Sequence, residues 1–237
     1  MKVKKELLAL ADKKHAKNLA RFFKTRKGEY GEGDIFLGIT VPVQRIIAEK
    51  YFRETSVDDI ERLLRDSFHE VRLTALMMLV LRYRKGIKEE KEKIYRFYLK
   101  HTAKINNWDL VDLSAHKIVG DWLADKNKLP LYLLAKSRNL WERRIAIIST
   151  FAFIRKNNLD DTFTLAKILL KDKEDLMHKA VGWALRECGK KNKARLKEFI
   201  ERYGSCMPRT TLRYAIEKFP ETERKKLLQK TAKNKKA

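Results

Sequence analysis

Trp108 and Asp112 stand four residues apart in NNWDLVD, and Trp183 follows a glycine in HKAVGWALRE. On a helix, residues i and i+4 share a face, so the indole of Trp108 and the carboxylate of Asp112 would lie side by side. An indole face attracts a cation through its quadrupole, and a carboxylate does so by direct charge. The three side chains are therefore the parts of a cradle for a positively charged group. Asp109, in the same segment, is accounted for as an acidic residue of the first helical turn, where it complements the helix dipole by ~0.3–1 kcal/mol. Asp112 lies deeper, and a carboxylate on a surface that is otherwise basic implies a task such as stabilising developing positive charge.

The elements that must position these residues repeat. Arg72, Trp108, Arg144, Lys179 and Arg213 recur 36, 36, 35 and 34 residues apart, each opening an apolar run of helical period, the signature of a helical repeat. The phase predicts that Trp108, Asp112, Arg144, Lys179 and Trp183 line one surface. A basic residue at one helix start is explained by a neighbouring cap or carboxylate; five rungs in phase are not so readily explained. Helix pairs are expected at 57–66 with 69–85, 89–103 with 108–124, 129–136 with 141–157, 160–170 with 174–190, and 191–203 with 208–218. Ser56, followed by Asp58 and Asp59, reads as an N-cap, and Pro42 suits a first helical turn. An earlier helical run, Val3 to Phe23, stops at the glycine-rich KGEYGEGD. Trp122 and Trp141 read as core, and Gly182 leaves room beside Trp183 for a close approach by backbone or ligand.

The fold class expected is all-α, a helical-repeat solenoid with a basic concave surface lined by the second helix of each pair. It forms a single domain over 1–237, with a basic and partly disordered tail from about 224 to 237. Nine glycines and four prolines argue against a loop-rich or all-β chain. Lys and Arg outnumber Asp and Glu by 55 to 31, a formal +24, which points to a polyanion as partner and foremost to nucleic acid. Cations spaced along a groove suit a phosphate backbone, because each neutralised phosphate releases condensed counterion. No apolar run reaches the roughly 20 residues of a membrane span, and the N-terminus carries no export signal. The two cysteines and five histidines form no metal-binding spacing, so neither metal nor cofactor is expected. The absence of a heptad seam favours a monomer.

Over most of its length the chain resembles the AlkD-like family of DNA alkylation repair glycosylases, built from HEAT-like repeats. The resemblance rests on FLGITVPVQR (36–45), NNWDLVD (106–112), LWERRIAI (140–147) and HKAVGWALRE (178–187). It implies that Trp108, Asp112 and Trp183 are the active-site set. It also implies that Arg144, Lys179, Arg186 and Arg213 touch the DNA backbone, joined by Arg72 from the ladder. Phe22 stands where the family carries a tyrosine, without its hydroxyl. The implied partner is double-stranded DNA with alkylated bases in a prokaryotic cytoplasm. The implied activity is hydrolytic removal of bases alkylated at ring nitrogens, of the 3-methyladenine and 7-methylguanine type, without flipping them and without a Schiff-base lysine. A repeat protein that binds DNA without excision is the alternative, and a scaffold for acidic proteins is a third; neither explains Asp112.

Overall fold

The computed structural model describes residues 1–233. Among them there is no strand, only a single bridge between Ile35 and Phe68, and no helix is long and apolar enough to cross a membrane. The chain is an all-α helical repeat whose contacts gather into two compact units, Met1–Ser114 and Ala115 onward. The sequence predicts one domain. Repeats touch mainly their sequence neighbours, so grouping of this kind is natural in such arrays.

The first unit holds α1 (Lys2–Ala9), α2 (Lys13–Phe22), α3 (Val41–Tyr51), α4 (Val57–Leu64), α5 (His69–Lys85), α6 (Lys88–Lys100), a 3-10 turn at Thr102–Lys104 and α7 (Trp108–Ala115). The N-terminal run divides because Asp12 caps α2, accepting from the backbone N–H groups of Lys14 (2.8 Å) and His15 (3.0 Å). Pro42 sits in the first turn of α3, and the Ser56 hydroxyl accepts from Asp59 N at 3.1 Å at the start of α4. α5 packs against α1, α3, α4 and α6 and is buried on nearly every side, as expected of a helix apolar around its circumference.

The second unit opens with a π-helical turn at His116–Gly120. It continues through α8 (Asp121–Leu123), α9 (Leu129–Leu134), α10 (Leu140–Ser149), α11 (Phe151–Arg155), α12 (Asp160–Leu169), α13 (Asp175–Lys191), α14 (Lys193–Tyr203), α15 (Arg209–Ala215) and α16 (Glu221–Lys233). α13 is its centre, packed on α10, α11, α12, α14 and α15. Two expected helices are interrupted. The segment 108–124 contains the π turn, which ends at Gly120, where an added Cβ would stand 2.1 Å from the Ser149 carbonyl oxygen. The segment 141–157 breaks at Thr150, whose hydroxyl donates to Ile147 O at 2.7 Å and competes with the helical ladder.

The tail expected from about 224 differs: it is helical as far as Lys233. Three observations explain the order. Thr231 is buried, and Arg209 donates to both Leu228 O and the Thr231 hydroxyl at 3.2 Å. Glu223 also accepts from Lys193 at 2.9 Å. Residues 234–237 lie outside the described residues.

Candidate active site

α7 starts from a buried polar cluster. Asn107 accepts from Trp108 N at 2.8 Å and donates to Asp34 at 2.8 Å, so one amide fixes both the helix start and the loop before α3. The Asp34 carboxylate also takes Arg72 Nη2 at 2.5 Å and His69 Nδ1 at 3.0 Å, and His69 Nε2 reaches Asp109 at 2.8 Å. Burial by itself would lower the His69 pKa; hydrogen bonds to Asp109 and Asp34 overcome that and raise it to about 9. His69 is therefore an imidazolium at neutral pH, donating from both nitrogens. Asp34 is pulled upward by burial, yet His69, Arg72 and Asn107 together hold it below the ordinary carboxylate value. Next to this cluster, buried Glu70 gathers the backbone N–H groups of Leu37, Gly38 and Ile39 at 2.9, 2.8 and 3.2 Å. It thereby pins the FLGI loop to the start of α5.

The cluster supports an aromatic stack. Phe23 lies flat on Trp108, with centroids 5.0 Å apart and planes 8° apart, and its ring also meets Phe36 (4.9 Å) and His69 (5.0 Å). Phe22 meets Trp108 edge-on at 6.0 Å and is 65% exposed, so an aromatic ring stands in solvent beside the indole. Trp108 is half-buried and its ring is held by packing. One turn further along α7, Asp112 is half-buried, and its charge bears on Tyr98. Burial first, eased by the Ser114 hydroxyl at 2.8 Å, and then the nearby Asp112 carboxylate keep the Tyr98 phenol protonated far above its usual range.

In the second unit Trp183 is half-buried on α13 and meets Phe151 edge-on at 4.6 Å. Gly182 serves helix packing: a Cβ there would stand 2.5 Å from Tyr214 Cβ and 2.7 Å from Thr211 O of α15. The close approach expected at this glycine is thus made by backbone, not by a ligand. Trp122 and Trp141 are buried, as expected of core.

The basic ladder divides. Arg72 and Arg144 are each 5% exposed. Arg72 is held by Asp34 and donates to the carbonyls of Asp66 and Ser67 at 3.1 and 3.2 Å. Arg144 donates to Leu176 O at 2.6 Å, where α13 begins. Where the sequence predicts cations facing a groove, these two hold helix starts together. Lys179 reaches the surface, paired with Asp175 at 2.7 Å, Arg186 pairs with Glu217 and lies 3.7 Å from Glu187, and Arg213 is exposed on α15.

The sequence reading missed His69, Asp34, Asn107 and Glu70, and it gave Asp109 a dipole role where the structure gives it a buried ion pair. His69–Glu70 opens α5, but Asp34 lies in the glycine-rich break, and no local pattern connects the two.

Fold and site together define an all-α helical repeat protein that carries a half-buried carboxylate and an indole one turn apart on a single helix. The chain belongs to the family of DNA alkylation repair enzymes, whose family model matches residues 3–219. Among solved structures it is similar to one described as a predicted DNA alkylation repair enzyme from Enterococcus faecalis, with a TM-score of 0.69 at 18% identity over 89% of this chain and 97% of that one. At that identity the likeness speaks to fold alone. No curated protein sequence matches the chain.

Proposed function

We propose that this protein is a monofunctional DNA glycosylase that hydrolyses the N-glycosidic bond of purines alkylated at ring nitrogens in duplex DNA. The observation that carries the reading is the placement of Asp112, a half-buried carboxylate one turn beyond an indole pinned by Phe23, in a chain of formal charge +24. Alkylation at a ring nitrogen makes the base cationic, so it departs as a neutral molecule and leaves positive charge on the sugar. A carboxylate at the sugar stabilises that oxocarbenium-like charge, by about 3–4 kcal/mol for one well-placed group, and can orient the attacking water. Partial burial strengthens its electrostatic effect relative to bulk water.

Trp108 supplies an aromatic face that favours the cationic lesion. Trp183 is assigned to the active-site set on the basis of its phase along the repeat and the family resemblance. Lys179, Arg186, Arg213 and exposed Phe22 are assigned to the DNA, the cations to phosphates and the ring to the strand beside the lesion. Arg72 and Arg144 are assigned to holding the scaffold. A protein working alone on duplex DNA, with no metal and no covalent intermediate, completes the reading.

The test is incubation of the purified protein, in EDTA, with duplex DNA carrying methylated purines, followed by separate assays of freed base and of strand breaks before and after alkali. Free 3-methyladenine or 7-methylguanine with alkali-dependent breaks supports the proposal. Tight, salt-sensitive binding without base release makes this a DNA-binding protein that does not excise, and breaks before alkali contradict the monofunctional assignment.

A further inference from the structure

The end of α5 remote from His69, about 24 Å away along a helix rising about 1.5 Å per residue, borders a second concavity. It has a volume of about 510 Å³ and is formed by the end of α3, the start of α4, the end of α5 and the first turns of α6. That volume lies in the range of small-molecule sites. Its floor and walls are apolar: Phe52, Val57 and Ile94. Its rim is cationic: Arg53, Lys85 and Lys93 are all exposed.

Two features make this more than a patch of surface lysine. Lys85 Nζ and the Arg53 guanidinium sit over the same Phe52 ring, at 4.9 and 5.6 Å from its centroid. Two cations thus gather at one aromatic ring on the rim of the hollow, and an anion seated there would offset their like charge. No ion pair to a carboxylate holds Arg53, Lys85 or Lys93 among the described residues, whereas Arg62, Arg65 and Arg96 nearby each have an acidic partner. The one carboxylate lining the concavity, Glu90, is engaged by the backbone N–H of Ile87 at 3.1 Å, and Arg82 beneath the rim is engaged by Phe52 O at 2.8 Å. Glu90 is thus the one negative charge lining the hollow, against the four cations Arg53, Arg82, Lys85 and Lys93, which leaves its rim net positive.

We propose that this concavity binds a mononucleotide, either free or as the phosphorylated end of a strand, with the phosphate between Arg53, Lys85 and Lys93 and the base against Val57 and Ile94. A bare phosphate would leave the apolar wall unused, and a neutral nucleoside would leave the cations unmatched. The site is independent of excision, since it shares no residue with the Trp108 and Asp112 face.

The test is calorimetric titration of the full chain at physiological salt with AMP, inorganic phosphate and adenosine. It includes Lys85→Ala and Arg53→Ala variants, both at exposed positions, checked by circular dichroism. The expected result is one AMP per chain, with affinity lowered about tenfold by either variant, as for loss of one charge-assisted contact, and unchanged by Asp112→Asn. Phosphate and adenosine are expected to bind at least about tenfold more weakly than AMP. Competition by a short 5′-phosphorylated strand, but not by its 5′-hydroxyl form, would assign the site to strand ends; failure of both to compete would assign it to free nucleotide. Absence of AMP binding at low millimolar concentration, AMP binding unchanged in both variants, or phosphate binding as tight as AMP each overturns the proposal.

Discussion

The start of α7 in the first unit and α13 in the second both carry an expected active-site tryptophan, yet they are held by opposite means. Behind Trp108 four charged side chains are turned inward: Asp34, His69, Arg72 and Asp109 form one buried network, and Phe23 lies flat on the indole. On α13 the charges face water, with Lys179 paired to Asp175 and Arg186 to Glu217, while the helix is located by a close backbone contact at Gly182. Buried ion pairs are costly to break and fix geometry, whereas surface pairs contribute little and exchange partners readily. The first arrangement suits a site whose carboxylate must be in place before substrate arrives. The second suits cations that release Asp or Glu to take up a phosphate.

The contrast can be broken most forcefully at Asp109. Asp109→Ala leaves a buried imidazolium with one of its two carboxylates and should cost about 3–5 kcal/mol in chemical denaturation; a loss under 1 kcal/mol would mean that the network does not hold α7. pH provides a second test without mutation. The His69 pKa is raised from 6.5 to about 9, so its contribution is fully present below pH 6.5 and is lost as pH rises through about 9. On the order of 3 kcal/mol should disappear over that interval, and His69→Asn should flatten the slope. Asp34 is shifted down, so its share is present above its unfolded value and is lost as the solution is acidified through the lower folded one.

A smaller effect is expected at Gly182→Ala, where the new methyl group must push α15 away from α13. A loss of about 1–3 kcal/mol in thermal or denaturant unfolding would fit that overpacking, and an unchanged midpoint would show that α15 yields freely. Lys179→Ala should be nearly silent for stability, below about 0.5 kcal/mol. Its effect belongs in DNA binding, where the slope of log affinity against log salt should fall by roughly one phosphate equivalent. An unaltered slope would remove Lys179 from the DNA contacts.

Much of the scaffold was legible because helix pairs announce themselves locally. Ser56 and Pro42 sit where helix-start chemistry places them, and Trp122 and Trp141 are core. The site was legible only in part. Equal spacing identifies residues in equivalent repeat positions but not which way they point, which is how Arg72 and Arg144 came to be predicted as groove cations although both are buried. The network behind Trp108 joins Asp34, His69 and Asp109 across stretches of 35 and 40 residues, and pairing at that range is decided by packing. The break at Thr150 and the π turn before Asp121 likewise arise from a side-chain bond to backbone and a close approach at Gly120, neither of which leaves a periodic trace.

The central claim, that Asp112 stabilises charge on the sugar as an alkylated base leaves, is tested most directly by single-turnover excision with Asp112→Asn alongside its DNA affinity. The account predicts a fall in the excision rate of about two orders of magnitude or more, with affinity equal to or slightly above wild type because a negative charge has been removed from a DNA-binding surface. An excision rate close to wild type at unchanged affinity would contradict it.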